Sequence, residues 1–240
     1  MGGKKPKTLL DVGDHEPLLH YILAGLRSAG IDDLLVVTGF EPGSVQDFVN
    51  ERWTDGDVTY VFNARYASWG NFHTVRMALE QSPGMNVLCV NSDVVVHPDV
   101  YRKVAQTPGD LVLAVQKRQP HRLDQEDMRV HLEGTKVRGI GKSLPMALSH
   151  GEFAGVSLVR PAAALHYLST ATNLEWRAAT TLYYEDIYGT ILPRVDARAA
   201  LVPGDQYAEI DTPDDVPGAV EVITANAEAW GVQEAAAPSA

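Results

Sequence analysis

The sequence predicts an α/β domain in which a mostly parallel sheet is flanked by helices and carries a small antiparallel insertion. Three observations predict it. Short apolar runs alternate with segments whose apolar residues recur at helical spacing through the first half of the chain. The runs are apolar at consecutive positions, as in strands covered on both faces. Beyond residue 125 the rhythm changes to two short runs around Glu133-Gly134, the pattern of a hairpin.

The elements follow in order. Leu18, Ile22, Leu26 and Ala29 share one helical face, with Pro17 at its start and Gly30 past its end. Leu34-Leu35-Val36-Val37 reads as a buried strand, Val45, Phe48 and Val49 as a helix, and Val58–Phe62 as a second strand. A helix opens at Asn71 and carries Val75, Ala78 and Leu79, followed by the strand Val87–Val90. A helix near 99–105 leads into the strand Leu111–Val115. Strands separated by helices of this length imply right-handed crossovers and a Rossmann-like sheet. Val130–Leu132 and Val137–Ile140 form the hairpin, Phe153–Val159 a strand, and 162–169 and 183–192 helices. Tyr207–Ile210 is a strand, after which Thr212 and Pro213 supply the N-cap and first position of a helix. No internal repeat or long linker interrupts residues 1–232, which read as one domain. The polar, Ala-rich stretch 233–240 is expected to be a disordered tail.

Composition excludes several classes. The chain has 240 residues, 45% of them hydrophobic, enough to build a core. No run approaches the ~18 apolar residues of a membrane span, and the first residues lack the apolar stretch of a signal peptide. A single cysteine, Cys89, rules out a disulfide framework. The net charge of −11 opposes general nucleic-acid binding, which needs a basic footprint. A cytoplasmic protein with neither nucleic-acid nor membrane partners is expected.

Ligands of open parallel sheets bind beyond the carboxyl ends of the strands. Asp93 follows the strand Val87–Val90 there, and Asp211 follows Tyr207–Ile210. Two such carboxylates suit Mg²⁺, which completes its octahedron with phosphate oxygens and water. By position alone Asp93 also reads as a turn residue and Asp211 as a helix cap.

The order of short motifs is more specific. Pro6-Lys7-Thr8-Leu9-Leu10, Val36-Val37-Thr38-Gly39-Phe40, Asn63-Ala64-Arg65-Tyr66 through Asn71-Phe72, and Asn91-Ser92-Asp93-Val94 with Pro98 stand in one series. Gly139-Ile140-Gly141-Lys142, Glu152-Phe153-Ala154-Gly155, Tyr184-Glu185-Asp186 and Glu209-Ile210-Asp211-Thr212-Pro213 complete it. From about residue 5 to about residue 222 the series resembles the nucleotidyltransferases that make sugar nucleotides and CDP-alcohols. It is most similar to the branch acting on phosphocholine, inositol phosphate and aminoethylphosphonate.

That resemblance implies the nucleotide-diphospho-sugar transferase fold and a reaction between CTP and a small phosphate or phosphonate acceptor. It implies Asp93 and Asp211 as Mg²⁺ ligands, with Lys7 and Lys142 as phosphate contacts; Lys142 also reads as a solvated hairpin lysine. Asn63, Tyr66, Asn71, Glu152, Glu185 and Asp186 would line the acceptor side. Tyr66, Trp69, Trp176, Tyr183 and Tyr184 are candidate faces for a cationic acceptor, or else core and groove aromatics. A sugar 1-phosphate acceptor with another nucleotide, and a non-catalytic nucleotide-binding relative, are the alternatives.

The sequence departs from the family at its start. Members open with a buried strand and a Gly-rich, Arg-containing loop that holds the triphosphate, whereas Met1–Lys7 aligns after that loop. The strand and loop are expected to be missing from the domain, leaving neighbouring strand edges exposed. Either Met1 is an internal methionine of a longer chain, or the domain is a shortened relative.

Overall fold

A computed structural model describes residues 5–177 and 180–230. The expected tail 233–240 lies outside the described residues. α1 (Leu18–Ser28) runs from Pro17 and buries Leu18, Leu19, Ile22, Leu23 and Leu26. β1 (Leu34–Thr38), α2 (Pro42–Arg52) and β2 (Val58–Phe62) follow, with β1 and β2 paired in parallel as a two-stranded sheet. α3 (Phe72–Glu80), β3 (Val87–Val90), β4 (Val94–Val96), α4 (Pro98–Gln106) and β5 (Leu111–Lys117) complete the first half. The second half holds the hairpin β6 (Arg129–Glu133) and β7 (Lys136–Ile140), then β8 (Gly151–Val159) and α5 (Pro161–Trp176). It ends with α6 (Tyr184–Ile191), β9 (Ala197–Val202), β10 (Tyr207–Glu209) and α7 (Val216–Ala225).

The six-stranded sheet has the order β3-β8-β5-β9-β7-β6. β5 and β9 pair in parallel; β8 inserts antiparallel between β3 and β5, and the hairpin closes the far side. β5 has both edges paired, and Leu111 through Val115 are entirely buried. Helices cover both faces. α1 and α4 contribute Leu26, Tyr101 and Val104 to one apolar cluster, and α3, α5 and α6 contribute Leu79, Tyr167 and Tyr188 to the other.

Two strands escape the sequence patterns. β4 is three valines, short enough to pass for the end of a loop, and it pairs antiparallel with β10. β9 reads Ala-Arg-Ala-Ala-Leu-Val and so lacks β-branched residues until its last position. Its pairing with the fully buried β5 overrides that propensity. The helix predicted over 162–169 continues to Trp176. Thr212 and Pro213 open a short 3₁₀ turn, Pro213–Asp215, that feeds directly into α7.

Candidate active site

The β4–β10 pair builds the centre of the site. Glu209 lies opposite Val94, and the Ile210 amide donates to the Asp93 carbonyl at 2.9 Å. Asp93, just after β3, and Asp211, just after β10, are thereby held side by side. One carboxylate oxygen each from Asp93, Glu209 and Asp211 lie within 4.8 Å of one another. Glu209, two residues before Asp211 in an extended segment, faces the same way. That spacing in Glu209-Ile210-Asp211 was the available signal for a residue that sequence reasoning did not assign.

Lys7 enters this cluster from the 3₁₀ turn Lys7–Leu9. Its ammonium lies 2.9 Å from Asp211 Oδ1 and 3.5 Å from Asp93 Oδ2. Burial pushes the Asp93 carboxyl above its ordinary range; Lys7 opposes this and Asp211 adds to it. Partial burial together with Asp93 and Asp211 pushes Glu209 up to about 7, and the Tyr207 hydroxyl donates to Glu209 at 3.0 Å. Asp93 Oδ1 is buried without a hydrogen-bond partner among the described residues. A hard oxygen cluster with an orphaned carboxylate oxygen fits a divalent cation such as Mg²⁺.

Gly155 makes room for this geometry. Its φ is +71°, and a Cβ there would stand 2.8 Å from Val94 Cγ1 and 3.1 Å from Asn91 Cβ. β8 therefore passes directly beneath the loop that carries Asp93.

The residues predicted for the acceptor side divide by role. Asn63 is 2% exposed; its Nδ2 donates to Thr74 and its Oδ1 accepts from the Arg65 amide, so it ties the loop after β2 to α3. Asn71 Oδ1 accepts from the Tyr184 amide at 2.9 Å, and the Tyr184 hydroxyl donates to Asn91 Oδ1 at 2.6 Å. Those two bonds join α3, α6 and the Asp93 loop. Tyr66 is half exposed with its Cβ against Gly39. Asp186 accepts from the Tyr183 amide and caps α6.

Glu152 and Glu185 are buried carboxyls. Burial pushes Glu152 up to about 8 although Arg118 lies 2.6 Å away. Burial also pushes Glu185 up to about 8, and its Oε2 has no hydrogen-bond partner among the described residues. Lys142 bonds Glu126 at 3.0 Å and sits 5.1 Å from the centre of the Tyr183 ring. Its burial lowers its proton affinity, but Glu126, Tyr183 and Asp211 outweigh that and raise it. Lys142 thus lies within the field of Asp211.

The aromatic candidates do not share one cage. Tyr183 carries Lys142, Trp69 carries the Arg65 guanidinium at 4.0 Å, and Trp176 is 86% exposed. Tyr184 is buried in the core. Cys89, whose thiol burial pushes up to about 12, is an inert core residue.

Helices layered on a Rossmann-like sheet, with carboxylates and a lysine gathered beyond the strand ends, define the class of nucleotide-handling α/β domains. Within that class, the chain belongs to the MobA-like NTP transferase domain family, whose pattern matches residues 1–133. It is 27% identical over 97 residues to the choline-phosphate cytidylyltransferase of Streptococcus pneumoniae, a match covering 40% of this chain and 39% of that one. It is 25% identical over 114 residues to the CMP-5'-(3-aminopropyl)phosphonate synthase of Streptomyces rubellomurinus, covering 48% of this chain and 18% of that one. The matches thus span less than half the length of these relatives. The inositol-1-phosphate CTP transferase of T. maritima superposes with a TM-score of 0.76 at 16% identity, over 93% of this chain and 89% of that one. That likeness establishes the nucleotidyltransferase fold. No described helix is long and apolar enough to cross a membrane.

Proposed function

We propose that the domain transfers a cytidylyl group from CTP to a small phosphorylated alcohol or a phosphonate and releases pyrophosphate. The observation that carries this reading is the meeting of Lys7, Asp93 and Asp211 at the carboxyl ends of the strands. Similarity to two cytidylyl-handling relatives supports the choice of base and acceptor.

In the reaction an acceptor oxygen bonds to the α-phosphorus while the bond from that phosphorus to the pyrophosphate oxygen breaks, its electron pair leaving with pyrophosphate. A phosphomonoester is largely dianionic at neutral pH, so no general base is needed to make the nucleophile. The work of the site is to hold two polyanions together. Mg²⁺ held by Asp93 and Asp211, with Glu209 in reach, would supply charge neutralisation at the phosphates. Lys7 would add a second positive charge, turned from these carboxylates toward the phosphate, and Lys142 would approach from the hairpin side. Asn63 and Asn71 hold the loops that carry Tyr66 and Tyr184. Glu152 and Glu185, kept largely protonated by burial, would offer hydrogen-bonding carboxyls to a hydroxyl group on the acceptor side, and Asp186 caps the helix that carries Glu185.

The test is pyrophosphate release with CTP and Mg²⁺ across phosphocholine, aminoethylphosphonate, inositol phosphate and sugar 1-phosphates. Turnover is expected with an alkyl phosphate or phosphonate, and Lys7→Ala should lower kcat/KM by about two orders of magnitude, the scale of a lost charge contact in the transition state. Turnover only with a sugar 1-phosphate would replace the acceptor assignment. Silence with every nucleotide and acceptor would remove the transferase reading and leave nucleotide binding alone.

A further inference from the structure

The turn Asn91-Ser92-Asp93 carries the chain from β3 in the six-stranded sheet to β4 in the pair with β10. It is the joint through which one carboxylate of the cluster is aimed. Two backbone bonds pin its ends: the Asn91 amide donates to the Gly155 carbonyl at 2.8 Å, and the Asp93 carbonyl accepts from the Ile210 amide at 2.9 Å. Apart from the Lys7 contact with the Asp93 carboxylate, the turn has one side-chain tie among the described residues. Asn91 Oδ1 accepts from the Tyr184 hydroxyl at 2.6 Å, while Ser92 is exposed.

Both partners of that bond are held in place. The Tyr184 ring is buried and packs edge-on against Phe153 and Tyr188, with ring centres 6.1 and 5.2 Å away. Its amide donates to Asn71 Oδ1, which fixes the first turn of α6 to the start of α3. Burial, with Glu185 and Tyr188 adding to it, raises the proton affinity of the Tyr184 hydroxyl well above its ordinary value, so the group remains a donor. On the other side, a Cβ at residue 155 would stand 3.3 Å from Asn91 Cγ, so the Asn91 side chain occupies room that Gly155 leaves. The neighbouring tyrosines of the same apolar cluster behave differently. Tyr188 shares a hydrogen bond with the buried Ser157 hydroxyl at 2.9 Å, and Tyr167 donates to the Phe72 carbonyl at 2.9 Å. Those bonds close inside the core. Tyr184 instead reaches the turn that bears Asp93, whose buried Oδ1 has no partner among the described residues.

We propose that Tyr184 is a positioning residue: through Asn91, its hydroxyl aims the Asp93 carboxylate at the cation site. Groups that hydrogen-bond behind a metal ligand fix its orientation, and losing them weakens metal binding. Tyr184 acts one step further out, through the backbone of the turn, so its loss weakens the site without abolishing it. The bond also makes α6, which carries Glu185, part of the frame that sets the cluster. This assignment rests on the cation reading of Asp93, Glu209 and Asp211, and neither the nucleotide nor the acceptor enters it.

Mn²⁺ binding followed by calorimetry without nucleotide tests it. Tyr184→Phe removes the donor and Asn91→Ala the acceptor, and each should weaken Mn²⁺ binding by about fivefold, the scale of one lost hydrogen bond. The double variant should bind no more weakly than the single ones, because both changes cut the same link. Tyr188→Phe is the control for a merely structural role. It removes a buried hydroxyl of the same core and should lower the thermal-unfolding midpoint comparably, yet leave Mn²⁺ affinity unchanged. Equal weakening by Tyr188→Phe would reveal general loosening and overturn the assignment. Unchanged binding in Tyr184→Phe, or losses that add in the double variant, would overturn it as well. No Mn²⁺ binding by the wild-type protein would overturn the cation reading itself, and this assignment with it.

Discussion

Lys7 holds, with its ammonium, the place between Asp93 and Asp211 that a divalent cation would claim. In the proposed reaction cation and lysine would compete for the same oxygens, the lysine turning toward phosphate as the cation enters. Lys7→Met is expected to bind Mn²⁺ more tightly, by about fivefold, in calorimetry without nucleotide; the pairs are partly exposed and worth roughly 1 kcal/mol. Unchanged or weaker binding would show that the lysine does not contest the site. Glu185 carries the other residue-scale prediction. Its folded carboxyl titrates near 8, well above the ordinary value of 4.5, so between those limits the native protein holds a proton that the unfolded chain has lost. Stability should then fall as pH rises from 5 to 8, by up to about 1.4 kcal/mol per pH unit for one such group. Glu185→Gln should remove its share of that slope in thermal unfolding followed against pH, leaving the shares of Glu152 and Glu209.

At the scale of elements, two local devices set the site. β8 passes under the Asp93 loop only because Gly155 has no side chain and sits at φ +71°. Gly155→Ala should cost about 2 kcal/mol in urea unfolding from backbone strain plus contact with Val94 and Asn91, and it should weaken Mn²⁺ binding by shifting Asp93. The hairpin has its own anchor. Arg129, 6% exposed, sends its guanidinium to the carbonyls of Asp124, Gln125, Lys142 and Leu144, with no carboxylate partner among the described residues. Arg129→Met leaves those carbonyls unpaired and should cost about 3 kcal/mol in the same measurement, while loosening the segment that carries Lys142. The sequence reveals neither device. Gly155 resembles any strand glycine until the approach of Asn91 is seen, and Arg129 in a half-polar run looks like a surface residue. By contrast, the alternation of buried strands and helices up to Val115 was legible because consecutive apolar residues report burial on two faces. β4 and β9 were not, since three valines or an Ala-rich stretch become strands only through long-range partners.

For the molecule as a whole, the sequence pointed to Asp93, Asp211 and Lys7 because each follows a recognisable motif, and the fold brings all three to one point. It assigned Asn63, Asn71 and Asp186 to the acceptor side but could not show that their side chains tie loops and cap a helix, since a polar residue's partner is a tertiary fact. The net charge of −11 also acquires a location. Asp93, Glu209 and Asp211 gather carboxyl groups at the proposed phosphate site, where Lys7 offsets only part of their mutual repulsion.

The span of the centre along the chain has a temporal meaning as well. Lys7 and Asp211 are separated by 204 residues, and Asp93 meets Asp211 only through the β4–β10 ladder. During synthesis the ribosome releases Lys7 and Asp93 long before their partner exists, so no nascent intermediate short of β10 can assemble the cluster. A luminescent lanthanide ion, which reports on grouped carboxylates, would stay dark on such truncated chains and light up only when the last strand closes.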